Sequence, residues 1–298
     1  MIIIRIHMIG AGSIGLLFAH RLSMCGHTIH IATRTDEQAG LLNRHGVLNG
    51  TEQKVSAGKL EHTTFEKTDA VIIAVKQYHL NAIASDIQRI PEHVPVIFLQ
   101  NGMSHLELLS TLPHQHIFVS TVEHGAKKLN AYSVQHNGVG WWRIACFKGD
   151  NEKVKQIISC DHPDFPIAFE AEYLSLLTIK LIKNLMINPI TAVFQVRNGV
   201  LAENQHFRKM MHSLYEELAL IFPDAAAQCP FEAILDLCVK TAENESSMLS
   251  DIKAGRKTEV ESMTGYAMKI AEQKDIKPEI LPFLEQGILA IQRERGTG

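Results

Sequence analysis

At 298 residues, 46% hydrophobic and 20% charged, the chain is too apolar for a disordered protein and too mixed for a fibrous one, and its length suits two domains. A net charge of -3 with both signs interspersed supplies neither a basic stripe for a nucleic-acid backbone nor a polybasic patch for an anionic membrane. No apolar run reads as long enough to span a bilayer, and the opening MIIIRIHMIG is short and interrupted by Arg5 and His7, unlike a signal peptide.

The first half alternates short β-rich runs with helical patterns, as a parallel α/β sheet requires. Strands are expected over 4–9, 28–33, 70–75, 95–99 and 117–122, and helices over 13–25, 80–90 and 105–112. After the Asp161-His-Pro-Asp-Phe-Pro166 turn the periodicity becomes helical, with helices expected over 172–187, 207–222, 231–243, 258–273 and 280–293. A boundary near 168 gives domains 1–168 and 169–298. Cys25, Cys146, Cys160, Cys229 and Cys238 are odd in number and scattered, which points to free thiols in a reducing, cytoplasmic compartment. The histidines show no H-E-x-x-H spacing, so no metal is expected.

Ile9-Gly10-Ala11-Gly12-Ser13-Ile14-Gly15 is a G-x-G-x-x-G between the first expected strand and the first expected helix. In that context Gly10 permits the tight turn, Gly12 lets the backbone approach a pyrophosphate and Gly15 lets helix and strand pack closely; the helix N-terminus favours the phosphates. The second strand ends at Arg34, where an NAD site usually places an acid. An arginine there pairs a 2′-phosphate, which favours NADP(H), although Asp36 and Glu37 follow closely. Lys76 and Gln100-Asn101-Gly102 stand at two further strand ends, either as strand caps or as the lining of a ligand crevice.

The stretch TIKLIKNLMINPITAVF, 178–194, is apolar with helical spacing but carries Lys180, Asn184 and Asn188 four residues apart. Positions four apart drift by only about 40°, so these side chains form one stripe. Taken alone, the stripe is either a solvated face or a face turned to a ligand. Lys183 lies off it and reads as a solvated lysine.

Taken together, GAGSIG at 10–15, AVKQ around Lys76, LQNGM around Asn101, EHGA at 123–126, KLIKNLMINPITA from Lys180, RNG at 197–199 and ENESSMLSDIKAGRKTE at 243–259 occur in the order found in ketopantoate reductases. The chain resembles that family over nearly its whole length. The resemblance implies an α/β Rossmann-type dinucleotide-binding domain followed by an all-α domain like that of 6-phosphogluconate dehydrogenase, with the active site in the cleft between them. It implies an NADPH-dependent reduction of 2-dehydropantoate to pantoate in the pantothenate pathway. Lys180 matches the catalytic lysine; Asn184, Asn188, Asn198 and Ser247 match substrate ligands. Lys76, Asn101 and Ala126 fall at cofactor-contacting positions, with Asn101 also reaching the substrate, and Glu259 matches an acid in the cofactor and catalytic cluster. The segment 136–142 with its Trp141-Trp142 pair is bulkier than the family's hairpin, and three extra residues precede the first strand; the tryptophans read as core or as an oligomer contact.

The chemistry suits these residue types. Hydride transfer to a 2-keto acid leaves charge on the former carbonyl oxygen, and a lysine is both a proton donor and a cation for it. Asparagines and a serine hold substrate by neutral hydrogen bonds without adding another titrating group. Two alternatives stay open: an NADP-dependent dehydrogenase of this architecture acting on another 2-keto or 3-hydroxy acid, and a protein that senses NADPH without turnover. The partner expected is a small-molecule substrate, with a second copy of the chain as a further candidate; Leu201, Phe207, Met210 and Met211 read either as a homodimer contact or as core.

Overall fold

The computed structural model describes residues 3–150, 154, 155, 160 and 162–296. Its strands are β1 (Arg5–Ile9), β2 (Thr28–Thr33), β3 (Val47–Asn49), β4 (Thr51–Gln53), β5 (Ser56–Lys59), β6 (Ala70–Ile73), β7 (Val96–Phe98), β8 (Ile117–Val122), β9 (Gly125–Lys128), β10 (Val134–Gly138), β11 (Trp142–Lys148) and β12 (Ile167–Glu170). Among the described residues one sheet runs β12-β11-β8-β7-β6-β1-β2-β5, and β3–β4 and β9–β10 form separate hairpins. Strand β1 pairs in parallel with β2 on one side, Ile9 opposite Ala32, and with β6 on the other, Ile9 opposite Ile73. The winding of the sheet therefore reverses at the end of β1, where open α/β sheets bind ligands.

The sheet is mixed rather than wholly parallel, since β11 runs antiparallel to β8. A parallel neighbour needs a long crossover, usually a helix, and the residues between β8 and β11 instead fold as the β9–β10 hairpin. The 80–90 region also differs from its expected single helix. It forms 3₁₀ turns at Gln77–His79 and Asn81–Ile83 and the short α3 (Ala84–Gln88), although Leu80, Ile87 and Ile90 keep the helical spacing and are buried. Helices α1 (Ser13–Met24), α2 (Asp36–His45) and α4 (Leu106–Thr111) complete this part.

The chain divides into two compact units, residues 1–100 with 106–176, and residues 101–105 with 177–298. Residues 169–176 stay with the sheet because β12 is its edge strand, so the division falls after Leu176 rather than at 168. The second unit is helical: α5 (Tyr173–Phe194, entering from the first), α6 (Asn198–Glu203), α7 (Gln205–Ile221), α8 (Pro223–Gln228), α9 (Phe231–Lys240), α10 (Ser247–Lys253), a π turn at Glu261–Gly265, α11 (Tyr266–Gln273) and α12 (Ile280–Glu294).

Helix α5 runs through Pro189, past the end expected at 187. A proline removes one helical donor, but Thr191 donates its hydroxyl to the Ile187 carbonyl (2.8 Å) and meets the Ser246 hydroxyl at 2.7 Å, which holds this turn against the start of α10. With that extension α5 is long and apolar enough to cross a membrane by length and composition, contrary to the sequence expectation, yet most of it is buried inside the protein. It is a core helix.

Trp142 is fully buried against Phe18 and Phe165, whereas Trp141 is 43% exposed with the Arg143 guanidinium over its ring, so only one of the pair is core. Cys25, just beyond α1, is disulfide-bonded to Cys160 with Cα atoms 5.4 Å apart, which corrects the expectation of free thiols throughout; Cys146, Cys229 and Cys238 are free. The two thiols are far apart in sequence, so spacing carried no sign of them. Leu201 and Met211 are fully buried within their own unit and cannot serve as an oligomer contact; Phe207 and Met210 are half-buried.

Candidate active site

The glycine loop follows β1 and opens α1 as its spacing predicts. Gly10 has φ +110°, and a Cβ there would come within 2.9 Å of the Val75 backbone, while a Cβ on Gly15 would lie 2.0 Å from the Gly10 carbonyl. Around Gly12, by contrast, a Cβ would meet nothing within 4 Å, so the loop is open on the side where a phosphate approaches. Among the described residues no side chain caps α1, and its first turn holds no acid, which leaves its N–H groups and dipole available to an anion. These features fit a dinucleotide.

Arg34 is exposed at the end of β2. Asp36 and Glu37, which complicate the cofactor reading at the sequence level, form the first turn of α2, whose N-cap Thr35 accepts from the Gln38 N–H at 3.3 Å. Acids there complement the helix dipole and have a structural reason to be present. His79 shares the Arg34 corner: loss of solvent, and then the charge of Arg34, lower its proton affinity. Lys76 is half-buried just beyond β6, and Ala126 lies on β9. Gln100 proves structural, donating through Nε2 to the carbonyls of Ile73 (3.1 Å) and Val75 (2.9 Å) and so tying two strand ends together.

The next residue, Asn101, belongs with the helical unit. Its Nδ2 donates to Glu259 Oε2 at 3.2 Å, and Glu259 is 95% buried by its 5% exposure. Ser262 donates to the Glu259 carbonyl (2.8 Å), and the Thr258 N–H donates to the buried Gln292 side chain (2.5 Å), so Glu259 is fixed on both flanks. The π turn that follows is a geometry enriched at functional sites. Thr178 Oγ1 lies 3.6 Å from Met103 Sδ and Asn188 Nδ2 lies 4.0 Å from Met263 Sδ, so the 101–105 segment, α5 and the π turn share one neighbourhood. Lys180, Asn184 and Asn188 do occupy one face of α5: the first two are half-buried and Asn188 is buried. Lys183 is also half-buried, close enough to Cys229 to bear on its thiol, so it is not the freely solvated lysine expected.

Asn198 is buried and donates through Nδ2 to Thr241 Oγ1 (3.0 Å), while its Oδ1 has no partner among the described residues. Ser247 is exposed at the start of α10, placed there by its neighbour Ser246, which caps the helix through the Leu249 N–H (3.1 Å). Sequence reasoning missed the supporting residues Thr191, Ser246, Ser262 and Gln292; only Ser246, an N-cap serine ahead of an apolar run, carried a local signal.

Gly102 has φ +76°, and a Cβ on it would stand 2.4 Å from the Ser262 carbonyl. Gly102→Ala is therefore expected to destabilise the helical unit by about 1–3 kcal/mol, measured by denaturant unfolding. Wild-type stability in that variant would mean that the segment has room to yield.

Two family models match the chain, ketopantoate reductase PanE/ApbA over residues 6–149 and ketopantoate reductase PanE/ApbA C terminal over 174–286. The chain belongs to the ketopantoate reductase family. It is 34% identical over 293 residues to the 2-dehydropantoate 2-reductase of Bacillus subtilis, covering 97% of this chain and 98% of that one. A crystal structure from Bacillus subtilis, of a probable 2-dehydropantoate 2-reductase, superposes with a TM-score of 0.87 at 34% identity, covering 96% and 99% of the two chains. A D-mandelate dehydrogenase solved with NADH and anilino(oxo)acetate shares the fold, with a TM-score of 0.87 at 20% identity over 99% and 100% of the chains. So does a dimeric ketopantoate reductase from Staphylococcus aureus, with a TM-score of 0.77 at 22% identity over 98% and 100%. The fold class is that of the family, a sheet-and-helix N-terminal domain with a helical C-terminal one.

Proposed function

We propose that this family member reduces 2-dehydropantoate to pantoate with NADPH, with Lys180 as proton donor, and that it does so as a homodimer. The observation that carries the reading is the helical unit's polar set, in which Asn101 and buried Glu259 are hydrogen-bonded and Asn188, on the face that carries Lys180, reaches the adjoining turn. Whole-chain identity to a 2-dehydropantoate 2-reductase supports the substrate, and the dimeric relative supports the assembly.

A reduced nicotinamide, when bound, supplies the hydride. The chain's own residues bind and orient. The open glycine loop and the N–H groups of α1 hold the diphosphate, Arg34 pairs the 2′-phosphate, and Lys76, Asn101 and Ala126 line the remainder of the cofactor. Asn184, Asn188, Asn198 and Ser247 fix the keto acid, the unpaired Oδ1 of Asn198 being an acceptor that a substrate hydroxyl would satisfy. Lys180 delivers a proton to the carbonyl oxygen as charge develops there, and Asn101 holds the Glu259 carboxylate in place.

Steady-state oxidation of NADPH with 2-dehydropantoate, set against a panel of other 2-keto acids, tests the substrate. Faster turnover of another keto acid, or none at all with tight NADPH binding, would favour one of the two alternatives. Arg34→Ala is expected to raise the KM for NADPH far more than that for NADH, by a factor equivalent to about 1.5–3 kcal/mol. Equal losses for the two cofactors would remove Arg34 from the 2′-phosphate.

A further inference from the structure

The β9–β10 hairpin lies over the glycine loop, and Lys128, the last residue of β9, meets that loop twice. Its backbone N–H donates to Ser13 Oγ (3.3 Å) and its ammonium donates to the Ala11 carbonyl (2.8 Å). Gln38 braces the same place, donating through Nε2 to the carbonyls of Ala11 (3.2 Å) and Ala131 (2.7 Å). The hairpin is itself held to α1, because the Arg21 guanidinium donates to His136 Nδ1 at 3.0 Å. Lys128 is exposed as a residue, but its backbone N–H and its ammonium are both tied at the entrance to α1.

We propose that Lys128 binds the diphosphate of the dinucleotide. The inference rests on the dinucleotide reading of the glycine loop and adds to it a residue that neither the spacing nor the family motifs supply. An ammonium has three N–H donors, and the Ala11 carbonyl takes one. That carbonyl belongs to the turn between Gly10 and Gly12, and the neighbouring Ser13 begins α1, whose free N–H groups attract the same anion. Loss of solvent around the ammonium lowers its proton affinity in the unliganded protein, and a phosphate beside it would restore the full charge. The diphosphate is common to NADH and NADPH, so Lys128 serves both, whereas Arg34 discriminates between them.

The test is equilibrium binding, read by the quenching of tryptophan fluorescence as NADPH or NADH is titrated into wild-type, Lys128→Ala, Lys128→Gln and Lys128→Arg proteins. Lys128→Ala should raise Kd about 10-fold for both nucleotides alike, as the loss of a charge-assisted contact does. Lys128→Arg, which keeps the charge, should recover most of the affinity. Lys128→Gln, which keeps a donor for Ala11 but no charge, should not. Thermal unfolding of each unliganded variant serves as the folding control, and only variants that melt like wild type are compared. Unchanged Kd in Lys128→Ala, full recovery in Lys128→Gln, or weakening of NADPH alone would each overturn the proposal; the second would make Lys128 a tie between hairpin and loop. A wild type that prefers NADH would refute the NADPH assignment while an equal loss of both nucleotides in Lys128→Ala upheld this one. Absence of binding to either nucleotide by the wild type would overturn both.

Discussion

Lys180→Ala is expected to lower kcat by roughly 10² to 10⁴ while leaving the Kd for NADPH nearly unchanged, since in the proposed mechanism the lysine acts on the reacting carbonyl and not on the phosphates. The internal control is Lys183→Ala. It removes the same side chain from the same helix, but from a face directed towards Cys229 rather than from the face shared with Asn184 and Asn188. Because Lys183 is half-buried, its loss should cost some stability, so both variants must first be shown to be folded; its effect on kcat should then be small. Asn184→Ala should fall between them, chiefly raising the KM for the keto acid by the loss of a neutral hydrogen bond. If Lys183→Ala proved the more damaging to kcat, with both proteins folded, the phase of α5 and the role of Lys180 would both be wrong.

The parts of this molecule written in short-range pattern were legible. The glycine loop, the strands over 28–33 and 117–122 and the stripe on α5 depend on periods of two or four residues, and a linear sequence displays these directly. What escaped depends on pairs brought together only by folding. Lys128 and Ala11 are 117 residues apart, Asn101 and Glu259 are 158 apart, and the two members of the disulfide are 135 apart, so no local rule could link them. Family motifs supplied Asn101 and Glu259, and nothing supplied Lys128. Helix α5 shows the opposite error: the expected helix stopped at 187, and a tertiary contact through Thr191 and Ser246 accompanies its continuation past Pro189.

The protein should also lose stability steeply below pH 6.5, well before its carboxylates protonate. His124 is buried against the face of Phe165. Its Nδ1 accepts from the Gly140 N–H (3.2 Å), and because Arg21 donates to His136 Nδ1, His136 Nε2 is left to donate to His124 Nδ1 at 3.2 Å. Every member of that chain needs a neutral His124. Burial, reinforced by His136 and Arg21, lowers its pKa to about 4, and burial first lowers His7 and His105 to about 4 as well. All three fall below the unfolded value of 6.5, so between about pH 4 and 6.5 the unfolded chain binds more protons than the folded one. Stability is therefore complete above pH 6.5 and falls as the pH drops, by up to about 3 kcal/mol per histidine near pH 4. The window from pH 5 to 6 isolates the effect, because unfolded carboxylates are still ionised there. Each of these histidines should take up nearly one proton on unfolding in that window, a slope of about 1.4 kcal/mol per pH unit. His124→Gln, which keeps an acceptor for Gly140, should remove one such proton from the uptake by the sheet unit, read from denaturant melts across the window. An unchanged slope in that variant would show that His124 already carries its proton in the folded protein, and that the Arg21–His136–His124 chain is not what its geometry requires.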